Sequence, residues 1–68
     1  MVRLGTLKDK MDESGMTMTA IAQKSGILRE TLYNRLDGRG EFKVSEISAL
    51  CKVLHMSDRE RDSIFFND

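Results

Sequence analysis

The chain has 68 residues, 40% of them hydrophobic and 32% charged, with one cysteine, one histidine and no proline. That length limits it to a single domain, residues 1–68, burying only about 60% of the surface its unfolded form exposes. An internal disulfide and a four-ligand zinc site of Cys and His are excluded, and eleven basic residues balanced by eleven acidic ones exclude a strong overall field toward polyanions. Helix packing, with self-association as the remaining aid, must complete the core.

Leu4, Leu7 and Met11 fall on one helical face, which predicts a first helix over about 3–14 stopped at Ser14-Gly15. Thr17 caps a second helix, with Met16 packing on Ile21 as a hydrophobic staple, and Ser25-Gly26 ends it after about two turns. Ile27 belongs to the turn, and Leu32 and Leu36 share the buried face of a third helix over about 29–37, closed by Asp37-Gly38. Arg39-Gly40-Glu41 reads as an exposed loop loosened by its glycines. Ser45 is expected to cap a fourth helix, about 46–54, whose core stripe is Ile47, Leu50, Cys51 and Leu54. Ser57-Asp58-Arg59-Glu60 is a capping box opening a fifth helix that carries Ile64, Phe65 and Phe66. The fold class is all-α. A start unlike a signal peptide, no apolar run of roughly 18 residues and a lone thiol together predict a soluble protein in a reducing, cytoplasmic setting, away from membranes.

Residues 17–37 carry the functional signal. Two short helices about a glycine turn, the second with polar residues outward, match a helix-turn-helix. Ala22 is small where the third helix crosses the second, and Gly26 turns the chain with no side chain in the way. The outward face of the third helix then holds Arg29, Glu30, Tyr33 and Asn34. Arginine can bind guanine and asparagine adenine bidentately, each worth roughly 1–3 kcal/mol of discrimination. Glu30 either accepts from a cytosine amine or serves the helix N-terminus and orients Arg29. Tyr33 either touches DNA, at a thymine methyl or a phosphate, or covers the edge of the second helix. Phosphate contacts are expected from Thr17 with the free amides at the start of the second helix, and from Lys24, Arg35, Arg39 and Lys43. Residues 1–43 hold eight Lys/Arg against six Asp/Glu, and the remainder three against five, so the mild positive bias lies on that side.

TMTAIAQKSGILRETLYNRLDG resembles the helix-turn-helix of the Cro/CI-type phage repressor family, and SEISALCKVLHMS extends the likeness over most of the chain. The resemblance implies a compact five-helix, lambda-repressor-like domain. It further implies a regulator of lysis–lysogeny type, similar to small ones of Gram-positive phages and prophages. In that family the third helix enters the major groove and touches bases from positions that match Arg29, Glu30 and Asn34. The chain also departs from the family. Met18 stands where a phosphate-binding glutamine is common. Met11 and Leu36 replace a frequent arginine–glutamate pair, a double change expected to pack the two in contact. Leu28 replaces a capping Ser or Thr and is expected to be a partly buried turn residue, with a thymine-methyl contact as the other reading. His55 replaces a terminating glycine and reads as a left-handed cap.

The sequence therefore predicts a sequence-specific regulator that binds an operator in double-stranded DNA. The alternative is an antirepressor or co-repressor acting mainly by complexing another phage repressor. Ile64, Phe65 and Phe66 bear on that choice: Ile64 and one phenylalanine are expected to be buried, leaving the other for a homodimer or a protein partner. No glycine-rich phosphate loop and no paired histidines occur, so enzyme activity, cofactors, metals and small-molecule substrates are not expected.

Overall fold

The computed structural model describes residues 1–67 and contains five helices: α1 (Leu4–Glu13), α2 (Met18–Ser25), α3 (Arg29–Leu36), α4 (Val44–Val53) and α5 (Asp58–Phe65). No strand occurs among the described residues. Helix α2 packs mainly against α4 and also against α3, while α5 packs against both α1 and α4. The core collects Leu7 and Met11 of α1, Ile21 and Ala22 of α2, Leu32 and Leu36 of α3, Ile47 and Leu50 of α4, and Ile64 and Phe65 of α5. Ile27 from the α2–α3 turn and Leu54 at the end of α4 complete it. Met11 and Leu36 thus lie in one apolar core where an ion pair would need desolvation. Met16 and Met18 are half-buried against its rim.

The helix ends follow local chemistry. Ser57 and Glu60 form the reciprocal capping box: the Glu60 N–H donates to Ser57 Oγ at 3.1 Å, and the Ser57 N–H to Glu60 Oε1 at 3.0 Å. Helix α4 starts earlier than its sequence suggests, with Lys43 and not Ser45 at the cap position. That start puts Glu46 in the first turn, where its Oε1 accepts the Lys43 N–H at 2.8 Å. Ser45 consequently lies exposed inside the helix. At the other end, His55 takes a left-handed φ of 54°. Its N–H donates to the Lys52 carbonyl, and the Met56 N–H donates to that of Cys51, the crossed pair of bonds by which such a residue closes a helix.

An ion pair between Lys10 and Glu60 joins α1 to α5. Hydrogen bonding to Lys10, helped by the Ser57 N–H, holds the Glu60 carboxyl below its ordinary 4.5, and the same bond raises Lys10 above 10.5. The pair's contribution is therefore full between those two values. It is lost as pH falls through the lowered folded pKa of Glu60, or rises through the raised one of Lys10.

Two outcomes are expected. Glu60→Gln lowers the urea midpoint at neutral pH, and its difference from wild type narrows as the pH falls below 4.5 and through the lowered pKa of Glu60. His55→Gly relieves the left-handed backbone and raises stability by up to about 1 kcal/mol, read as a higher Tm.

Candidate nucleic-acid interface

Helices α2 and α3 are joined by residues 26–28. Thr17 Oγ1 accepts the Ala20 N–H at 3.1 Å and starts α2. Gly26 ends it at φ 75°, its N–H donating to the Ala22 carbonyl at 2.9 Å. A Cβ built on Gly26 meets no atom within 4 Å. Glycine is required here for its left-handed backbone, and not, as the sequence suggested, to keep space clear.

Burial of Leu32 and Leu36 fixes the roll of α3 and turns Arg29, Glu30 and Tyr33 outward, with Asn34 half-buried beside them. The Arg29 guanidinium donates to Thr19 Oγ1 across the turn at 3.4 Å and lies 5.7 Å from the centre of the Tyr33 ring. Thr19 and Tyr33, rather than Glu30, hold Arg29 in place. Leu28 contradicts its expected burial: it is 76% exposed, and its side chain caps nothing. The three-residue turn places Ile27 in the core and thereby directs its neighbour outward.

The cations expected on phosphate divide. Lys24 and Lys43 are exposed and form no ion pair among the described residues. Arg39 is exposed, 2.8 Å from Asp37 Oδ2. Arg35 is not an outward-facing cation: only 17% of its side chain is accessible, and its Nε donates to Glu46 Oε1 at 3.3 Å. Its guanidinium lies beneath the loop, where a Cβ on Gly40 would stand 2.5 Å from Nη1. Both loop glycines are left-handed, at φ 81°. Gly38 closes α3 while the Arg39 N–H donates to the Asn34 carbonyl at 2.9 Å, and Gly40 in addition leaves room for the Arg35 guanidinium.

The C-terminal candidates divide as well. Ile64 and Phe65 are buried and unavailable to a partner, with Phe65 packed edge-to-face on Phe42 at 5.3 Å between ring centres, whereas Phe66 is 56% exposed. Phe66 borders a groove shared with Val44, Cys51 and Met56. Burial pushes the Cys51 thiol up, so it stays protonated at neutral pH. Sequence reading missed Thr19, Phe42 and Glu46. Their contacts with Arg29, Phe65 and Arg35 span ten residues or more, beyond the reach of local spacing, and only the bond from the Lys43 N–H to Glu46, three residues on, is local.

No helix is long and apolar enough to cross a membrane, and no group of three or more His, Cys, Asp or Glu is placed to hold a metal, among the described residues. Because Arg35 ties α3 to α4, Arg35→Ala is expected to lower stability by about 1–2 kcal/mol in chemical denaturation, whereas Lys24→Ala changes it by less than about 0.5 kcal/mol. No protein-family model, curated protein or solved structure matches the chain significantly.

Proposed function

We propose that residues 17–37 form a helix-turn-helix and that the protein is a sequence-selective regulator of transcription, with α3 reading the major groove of double-stranded DNA. The observation that carries this reading is the outward face of α3. Arg29 is pre-positioned by Thr19 and Tyr33, and Asn34 follows on the same helix, whose opposite face is anchored in the core. An arginine fork held before contact loses less freedom on meeting guanine. Glu30 and Tyr33 flank that pair. Thr17, Lys24, Arg39 and Lys43 supply the phosphate contacts, and Arg35 is withdrawn from that set. Three cations per protomer make the attraction modest, with log K falling by about 3 per decade of salt.

A second reading, in which the domain acts by binding another regulator, is favoured by the zero net charge and the exposed Phe66. The same Phe66 equally suits a two-fold contact that sets two copies of α3 about 34 Å apart on DNA.

Selection from a random duplex pool followed by titration separates the readings. Arg29→Ala and Asn34→Ala are each expected to weaken the selected site by about 1–3 kcal/mol while sparing unrelated duplex. Lys43→Ala weakens both alike and reduces the salt slope by about one. No binding of the wild type to any duplex at low salt would instead promote the protein-partner reading.

A further inference from the structure

Leu28 occupies a position that the fold does not explain. It is the cap residue of α3, in extended backbone (φ −58°, ψ 136°) that serine, threonine or aspartate adopts equally well. A leucine there forgoes the cap, and at 76% exposure it gains almost no burial in return. Single exposed leucines are ordinary on protein surfaces. This one borders two shallow grooves, one toward α2 shared with Ala22, Gln23 and Arg29, the other toward α4 shared with Thr31, Lys43 and Glu46. Its apolar tip thus stands free beside Arg29, the arginine bonded to Thr19, with a largely apolar groove on the α2 side and polar groups on the α4 side.

We infer that Leu28 packs on the methyl group of a thymine in the major groove, beside the base that Arg29 contacts, and is a specificity-determining residue. The inference rests on the DNA-binding reading given above. Thymine alone carries a methyl group on its major-groove edge, next to an acceptor, O4. The pairing of an apolar tip with an arginine fork selects a thymine neighbouring a guanine. A serine would stabilise the helix start and leave that methyl group uncovered.

The test replaces each thymine of the selected duplex in turn by deoxyuridine, which removes the methyl group and keeps every hydrogen-bonding group. Wild type is expected to lose about fourfold in affinity at one position, the effect of exposing one methyl-sized group. Leu28→Ala and Leu28→Ser bind the thymine and uracil duplexes equally and retain the guanine preference that Arg29→Ala loses. Leu28→Ser also gains a cap and raises Tm by about 4–8 °C, so weaker binding by that variant is not a folding defect. Site-selective binding that is indifferent to uracil at every position overturns the assignment of Leu28 and leaves the DNA-binding reading intact. Absence of binding to any duplex at low salt overturns both.

Discussion

Five side chains that are almost wholly buried, one from each helix, meet in the centre of this domain: Leu7, Ile21, Leu32, Leu50 and Ile64. Every other feature depends on that meeting. Truncating a buried leucine or isoleucine to alanine typically costs about 2–5 kcal/mol. A domain of this size has a total margin of only about 3–10 kcal/mol at typical values per residue. No helix is therefore dispensable, and α3 holds its orientation only because Leu32 and Leu36 are engaged on its inner side.

That dependence explains how so short a chain presents an ordered polar face. Helix α3 has two turns, no side-chain cap and few apolar residues, so it would not persist alone. Its frame comes from neighbours: Ile27 in the core before it, Arg29 bonded to Thr19 of α2, and Arg35 bonded to Glu46 of α4. The first cation serves recognition in the reading proposed above, and the last serves architecture, although both are arginines on one short helix.

The difference between them marks where the sequence was legible. Patterns with a local cause were readable: the apolar spacing of Leu32 and Leu36, the Ser57–Glu60 box, the left-handed His55, and the burial of Ile64 with a single phenylalanine. Features fixed by long-range contacts were not. Nothing near Arg35 announces Glu46, and nothing near Phe65 announces Phe42. Ser45 was the better cap by residue type, yet the start of α4 followed Glu46, whose carboxylate reaches back to Lys43. The turn illustrates the same limit, since the sequence gives Ile27 and Leu28 nearly equal apolar character while only the tertiary crossing assigns one inward and the other outward.

A single oxygen, Glu46 Oε1, accepts both the Arg35 guanidinium and the Lys43 backbone N–H. It splices the end of α3 to the start of α4 across the glycine-bearing loop. The entropy of ordering that loop is consequently lost when the chain folds, not when the protein meets a ligand. Arg39 and Lys43 thereby arrive at any partner with their backbone already placed, and only their side chains remain to be immobilised.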